Sequence, residues 1–321
     1  ILENLGSEAL SRILATGVRQ VSTDPVFEWD NAFIAKTRNE LDNISEMMGN
    51  VYGLPDGSPG KAETLGALNI LASDQEPFSG ELPSALILGW VVERSDNDDL
   101  KLDMANQYIQ EFQADPTTLT PSEAQAVAWM LGSLDNSNAT VETMIGMTTE
   151  QRMQFMTVLT EGDLLAYPIV EDQRYYFEQD AMAGINEFLT DITRINPANY
   201  SDPAAARNFR IETFRAVTQA VDGPFFENNG ETHRLLASMF SADTDGIINA
   251  FADTSAENPY TDREGNILAK FFDNVAFRDE SVRGIVTDAL SEYLLGDGTT
   301  EGLAQQLALN LENGQYQEYY V

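Results

Sequence analysis

Apolar residues recur along most of this chain at intervals of three and four, the spacing that places them on one face of an α-helix. Phe27, Ile34, Leu41 and Met48 follow one another at seven-residue steps, and the Gly-Leu-Pro sequence at 53–55 ends this stripe. The pattern predicts one long amphipathic helix that ends just before the glycine.

Two further stretches show how general the helical pattern is. Apolar residues keep the three-four spacing from Phe177 to Ile195, and the Asn-Pro pair at Pro197 ends that stripe. The run at 85–92 is apolar throughout, but it is far shorter than the roughly 20 residues of a membrane-spanning helix. It therefore predicts a buried helix, and we expect no membrane insertion.

Start signals agree with the periodicity. Thr120-Pro121-Ser122-Glu123 and Thr261-Asp262-Arg263-Glu264 both have the sequence of a capping box at a helix N-terminus. Alternation of apolar and polar residues with a period of two is nearly absent. The sequence predicts an all-α fold with about 12–14 helices and little or no sheet. We expect an irregular multi-helix bundle or stacked antiparallel helix pairs.

Weak points in the pattern suggest how the chain is organised. Proline and glycine concentrate between Leu54 and Pro83, and Asn and Thr interrupt the apolar pattern between Ser133 and Thr148. The neighbourhood of Pro168 is the predicted boundary between an N-terminal helical layer, 1–167, and a C-terminal helical layer, 168–321. One continuous domain is the alternative. No repeat of fixed period is present, which argues against a regular solenoid.

The charge of the chain limits its partners. Lys and Arg number 18 against 52 Asp and Glu, which gives a formal net charge of -34. Such a chain repels nucleic acid backbones and anionic lipid headgroups, because both are bound chiefly through Lys and Arg. We therefore expect no nucleic acid partner.

The absence of cysteine excludes disulfides, Cys-ligated zinc, iron–sulfur clusters and thiol nucleophiles. Acidity with few lysines favours an extracellular, secreted protein in salty or calcium-rich surroundings, and a cytoplasm, including a halophilic one, is the alternative. The chain begins at Ile1 without a basic segment before an apolar stretch, so we expect a processed product or a segment of something larger.

The segment from Ser241 to Ala252 resembles a calcium loop. Asp243, Asp245 and Gly246 occupy its third, fifth and sixth positions, but Ser241 and Ala252 replace the carboxylates expected at the first and twelfth. Asp243 and Asp245 are thus a weak calcium candidate, and we predict no other cofactor. The favoured interpretation is that Asp243, or the threonine after it, caps a helix starting near Gly246.

The single histidine excludes zinc and di-iron sites that need several. His233 lies in a predicted helix beside Arg234 and the apolar pair Leu235 and Leu236, and we expect it at the surface or half-buried. Two groups of tyrosines are candidate protein interfaces, since a tyrosine buries a large ring while its hydroxyl stays wet. The alternative is an amphipathic edge of the core. The candidates are Tyr175, Tyr176, Tyr316, Tyr319 and Tyr320.

The runs Leu235–Ile248 and Gly265–Phe272 resemble helical segments of very large exported bacterial proteins of the polymorphic-toxin kind, in which such segments precede or surround toxin domains. The resemblance implies a non-catalytic helical module of a secreted or multidomain protein that binds or scaffolds protein partners.

Two other functions stay open at this point. The first is an acidic inhibitor that mimics the charge of nucleic acid, and the second is a hydrolase that uses carboxylates. A mimic should bind basic partners with steep salt dependence, whereas a scaffold should bind through an aromatic patch with little. A hydrolase should have a cleft with carboxyl groups of raised pKa.

Overall fold

The computed structural model describes residues 6–7, 9–14, 31–73, 84–161, 171–223, 226, 229–252, 260, 267–277 and 280–295. Within these, only the backbone is described at 31–41, 161, 171–181, 252 and 294–295.

Helices account for most of the described residues, and no strand occurs among them, which confirms the all-α prediction. The α-helices are α1 (Asn31–Tyr52), α2 (Pro59–Ser73), α3 (Ser84–Val92), α4 (Asp98–Ala114), α5 (Pro121–Gly132), α6 (Ser137–Ile145), α7 (Thr149–Glu161), α8 (Glu171–Thr193), α9 (Pro203–Ala220), α10 (Gly230–Ala242), α11 (Thr244–Ala252), α12 (Ile267–Phe271) and α13 (Glu280–Leu295). A short 3-10 helix spans Pro197–Asn199, and a π-helical turn at Phe272–Ala276 follows α12 directly.

Contacts between Cα atoms divide the chain into two compact units, Ile1–Ala206 and Arg207–Val321. The division falls within the sequence of α9. The boundary expected from the sequence near Pro168 lies outside the described residues, so it stays a prediction.

The first unit is built around α5. Thr120 and Glu123 form the predicted capping box: the Thr120 hydroxyl accepts from the Glu123 amide at 3.3 Å, and the Glu123 carboxylate accepts from the Thr120 amide at 2.7 Å. Every residue from Ser122 to Leu131 is buried. Helices α3, α4, α6, α7 and α8 all pack against α5. This helix is therefore the core of the unit, and its apolar surface is covered on all sides.

Glycines let the neighbouring helices approach α5 closely. A Cβ atom on Gly89 of α3 would lie 2.8 Å from Ala126, and one on Gly132 of α5 would lie 2.6 Å from the backbone nitrogen of Phe188. A Cβ on Gly184 of α8 would lie 2.4 Å from the indole ring of Trp129. Real Cβ atoms essentially never approach this closely, so only glycine fits at these crossings without a shift.

A buried lysine completes the C-terminal end of α5. The ammonium of Lys101 donates to the carbonyl oxygen of Ser133 at 2.6 Å and lies 3.6 Å from a carboxylate oxygen of Asp98. A cation at this position satisfies a helix-end carbonyl and opposes the negative end of the helix dipole.

The second unit has an aromatic core. The ring of Phe271 lies 5.0 Å from that of Phe214 and 5.1 Å from that of Phe240, in edge-on and stacked contacts respectively. Phe251 adds a ring 6.0 Å from Phe214, and Phe272 adds one 5.9 Å from Phe240. These rings join α9, α10, α11 and α12 through a single cluster, which we call the phenylalanine cluster.

Helices occur within both weak points of the sequence pattern. Helix α2 lies within the proline- and glycine-rich stretch from Leu54 to Pro83, and α6 lies within the interrupted stretch from Ser133 to Thr148. In the second case the polar residues stabilise the helix. The Asn136 side chain caps α6 by accepting from the Asn138 amide at 3.2 Å, and Thr140 is fully buried.

Candidate functional site

The two aspartates of the predicted calcium loop lie where α10 ends and α11 begins. The Asp243 carboxylate accepts from the Gly246 amide at 3.1 Å, which is the predicted helix cap. It also accepts two hydrogen bonds from the Arg207 guanidinium, from Nε and from Nη2, each at 2.7 Å. The hydrogen bonds that Arg207 donates to Asp243 are the main reason that the pKa of Arg207 is raised. The capping role is thus observed, with a partner 36 positions away that the loop sequence alone does not reveal.

Asp245 contacts the same guanidinium more loosely. Its Oδ2 atom lies 3.9 Å from Arg207 Nη2, its Oδ1 atom accepts from the side-chain nitrogen Nδ2 of Asn249 at 2.8 Å, and its side chain is 65% exposed. The positive charge near both aspartates is therefore a guanidinium. Among the described residues no group of three or more His, Cys, Asp or Glu side chains is arranged to hold a metal ion. Asp243 and Asp245 stay a weak calcium candidate, with which the ion pair to Arg207 competes.

A cleft of about 270 Å³ lies between α9 and α11 beside this ion pair. Its walls mix one cation, one carboxylate, two amides, apolar side chains and a buried tyrosine. The lining residues are Arg207, Asn208, Ile211, Asp245, Gly246, Asn249, Ala250 and Tyr260. The Arg207 side chain is 45% exposed, but two of its nitrogens are already held by Asp243.

A second cleft, of about 350 Å³, lies in the first unit and is acidic. It is lined by α1 and by the start of α4, and the lining residues are Glu46, Gly49, Asn50, Asp96, Asn97, Asp98 and Asp99. We call it the acidic cleft. Four carboxylates on one concave surface favour cations and basic side chains over anions.

The geometry of the acidic cleft follows from Gly49 and Asn97. The Asn97 side chain caps α4 by accepting from the Leu100 amide at 3.1 Å, and its amide group donates to the Gly49 carbonyl at 3.0 Å. A Cβ on Gly49 would lie 2.4 Å from the Ser95 hydroxyl, so glycine allows α1 to pass close to the loop before α4. The cap and the glycine together place the Asp96–Asp99 carboxylates beside α1.

An exposed phenylalanine lies at the end of the π-helical turn. Phe277 is 59% exposed, and its ring centroid lies 6.2 Å from that of Phe272, a member of the phenylalanine cluster. Its amide donates to the carbonyl of Phe272 at 3.0 Å, five residues earlier. This wider turn changes the register of the helix, since one extra residue is accommodated before the chain reaches Phe277.

The side chains of all five tyrosines predicted as an interface lie outside the described part of the chain. Tyr175 and Tyr176 belong to α8, where only the backbone is described, and Tyr316, Tyr319 and Tyr320 lie outside the described residues. Their role stays a prediction. The sequence did not single out Phe277, because helical periodicity alone does not indicate a π turn before it.

The expected position of His233 was wrong. It lies on α10, as predicted, but it is 6% exposed and belongs to the buried face that also contains Thr232 and Leu236. The polar residues beside it, Glu231 and Arg234, are exposed and made this part of the helix look more solvent-facing than it is.

One buried carboxyl group has a raised pKa. Burial raises the pKa of Asp191 on α8 to about 6, against the opposing effects of a hydrogen bond from Thr140 and the positive charge of Arg194. Asp191 lies outside the residues that line either cleft.

No described helix combines the length and apolar composition needed to cross a membrane. Comparison of the chain with protein-family models, with curated proteins and with solved structures finds no match.

Proposed function

We propose that this chain is a non-catalytic helical module that binds or scaffolds protein partners, with Phe277 as a principal contact. The observation that carries the proposal is the exposure of this ring, 59%, the highest among the large apolar side chains of the described residues. Exposed aromatic side chains are enriched where proteins bind one another. The ring is also continuous with the phenylalanine cluster beneath it.

The backbone around Phe277 supports this role because it is held on both sides. The Phe277 amide is bonded within the π turn, and its carbonyl accepts from the Arg283 guanidinium of α13 at 2.7 Å. On the buried side, Phe272 packs against Phe271 with ring centroids 5.4 Å apart. An aromatic ring on a fixed backbone loses little conformational freedom when a partner covers it, so more of its contact energy contributes to affinity.

The burial of this one ring sets a scale for binding. Covering a fully exposed phenylalanine side chain stabilises a complex by about 1.5–3 kcal/mol, so covering the exposed part of Phe277 contributes roughly 1–2 kcal/mol. That is about a tenfold change in affinity. A variant without the ring should therefore lose a measurable fraction of binding even if other contacts remain.

The proposed setting is an exported, multidomain bacterial protein associated with a toxin. It is supported by the acidic composition, the absence of cysteine and the resemblance of Leu235–Ile248 to segments of such proteins. The net charge of -34 makes two copies of the chain repel each other, so we propose a different protein as the partner.

The test selects binders from a random linear peptide library displayed on phage and then measures their affinity. We expect enriched peptides with apolar anchors, whose affinity falls about tenfold for Phe277→Ser and changes little with salt. Met47→Ser is the matched control, since Met47 is also a large exposed apolar residue, at 46%, in the other unit. Peptides that bind both variants as tightly as the wild-type chain would contradict the role of Phe277.

The acidic cleft supports a second candidate, a charge mimic that occupies a basic protein. Its carboxylates at Glu46 and Asp96–Asp99 present concentrated negative charge on a concave surface. This function predicts enriched peptides rich in Lys and Arg, binding that weakens steeply with salt, and loss of affinity in Asp96→Asn or Asp99→Asn. Phe277→Ser would leave that binding unchanged.

A further inference from the structure

Three helices of the first unit meet at one hydroxyl group. The Thr140 hydroxyl of α6 lies 2.8 Å from the carbonyl oxygen of Leu131, near the end of α5, and 2.9 Å from the Oδ2 atom of Asp191 on α8. Thr140 is fully buried and Asp191 is 7% exposed. Water is therefore largely excluded from this contact, and the protein groups must satisfy one another.

The number of protons at this contact decides its chemistry. A threonine hydroxyl carries one proton and can donate it to one acceptor. If Asp191 is ionised, Thr140 faces two acceptors and leaves one short oxygen–oxygen contact without a proton. If Asp191 is protonated, its carboxyl group donates to Thr140 and Thr140 donates to Leu131, so both contacts are hydrogen bonds. The geometry thus favours the protonated carboxyl group.

Two charged groups, Glu187 on α8 and Arg194 directly after it, have opposite effects on the pKa of Asp191. Burial, with a smaller contribution from Glu187, raises the pKa of Asp191 to about 6, although a hydrogen bond donated by Thr140 to the ionised form and the positive charge of Arg194 both lower it. The nearby cation is therefore insufficient to keep this carboxyl group in its usual ionisation range.

The charged groups on the helices around α8 have other partners or positions. Glu142 of α6 binds the amide and hydroxyl of Ser201, and Glu123 belongs to the capping box at the other end of α5. On α7, Arg152 donates to the Met147 carbonyl at 2.6 Å, and Glu150 lies in the first turn.

We propose that Asp191, Thr140 and the Leu131 carbonyl form a proton-dependent latch that fastens α6 and α8 to the end of α5 in acid and weakens towards neutral pH. Since folding raises the proton affinity of Asp191, the stabilisation is complete below the pKa of an unfolded aspartate and is lost as the pH rises through about 6. The latch differs from the proposed binding contact, because it lies in the first unit and needs no partner.

The test compares the wild-type chain with Asp191→Asn, whose amide can donate to Thr140 at every pH. Relative to this variant, the unfolding equilibrium constant of the wild-type chain should rise roughly 50-fold between about pH 4 and about pH 7. Asp135→Asn is the control, because it removes an exposed carboxylate from the loop before α6. The unfolding equilibrium constant of the wild-type chain relative to that of this control should change far less over the same pH range. The proposal would be overturned if the ratio of unfolding equilibrium constants between the wild-type chain and Asp191→Asn depended on pH as little as the ratio for the control.

A direct readout covers the case in which Asp191→Asn alters the fold. In ¹³C NMR spectra of the wild-type chain, the carboxyl signal of Asp191 should titrate near pH 6. This signal is assigned in a sample with labelled aspartate and threonine, through the contact between Asp191 and Thr140. Hydrogen exchange of α6 amides, corrected for intrinsic rates, should become faster above that pH. A carboxyl signal that titrates near the usual value for aspartate, about 4, would exclude the latch.

Discussion

Replacing Gly132 by alanine tests whether the close crossing of α5 and α8 holds the first unit together. The new Cβ would lie 2.6 Å from the Phe188 nitrogen and 3.0 Å from the Gly184 carbonyl oxygen, both backbone atoms. Ordinary van der Waals contact begins at 3.4 Å, so the two helices must separate by about 0.8 Å at this point. Neither atom belongs to a flexible side chain that can move aside.

The cost follows from the contacts that such a shift loosens. A gap of about 0.5–1 Å forfeits a quarter to a half of the dispersion energy between the atoms it separates. Trp129 and Phe188 are both buried at this crossing, and overpacking of a close-packed core typically costs about 1–3 kcal/mol. Alanine gains up to about 1 kcal/mol over glycine in helix propensity, which offsets only part of this. We expect Gly132→Ala to lower the free energy of unfolding by about 2 kcal/mol.

The assay is urea denaturation followed by tryptophan fluorescence, because Trp90 and Trp129 both belong to the first unit. Gly284→Ala is the matched control. Gly284 lies within α13, and a Cβ there would meet nothing within 4 Å. The free energy of unfolding of this variant, followed by far-UV circular dichroism, should therefore be about 0.5–1 kcal/mol higher than that of the wild-type chain. The reasoning is refuted if Gly132→Ala is as stable as the wild-type chain or more stable.

Three further predictions concern the phenylalanine cluster and the helix caps. Phe271→Ala should lower the free energy of unfolding, measured by chemical denaturation, by about 3–5 kcal/mol, since Phe271 is fully buried between two rings. Phe277→Ser should change the same free energy by less than about 0.5 kcal/mol, because its side chain is largely exposed. Thr120→Ala should cost about 1 kcal/mol through loss of the α5 cap, and an unchanged midpoint would contradict this. Because Arg207 already binds Asp243, millimolar Ca²⁺ should raise the unfolding temperature no more than Mg²⁺ does, and a calcium-specific rise abolished by Asp243→Asn would contradict this expectation.

Local sequence signals predicted the parts of the fold that depend on local physics. The apolar run at 85–92 became α3, in which every residue is buried, and the capping box at Thr120 begins α5. Asp243 caps α11, as its position before Gly246 indicated. In each case the determining atoms lie within one helical turn in the sequence.

Features that depend on distant residues could not be predicted. Thr140 interrupts the apolar pattern, yet its hydroxyl is paired with Asp191, 51 positions later, which is why α6 was read as a weak segment. The bidentate bond between Arg207 and Asp243 spans 36 positions. Phe277 follows a π turn at Phe272–Ala276, which the helical periodicity of the sequence does not indicate.

Hydrogen–deuterium exchange of the chain with a selected peptide bound tests the proposed binding role most directly. We expect slower exchange at 267–277 and in the first turns of α13, around Phe277, and the same peptide should give no protection in Phe277→Ser. Protection confined to the end of α1 and the start of α4 would place the partner in the acidic cleft instead, and would contradict binding through Phe277.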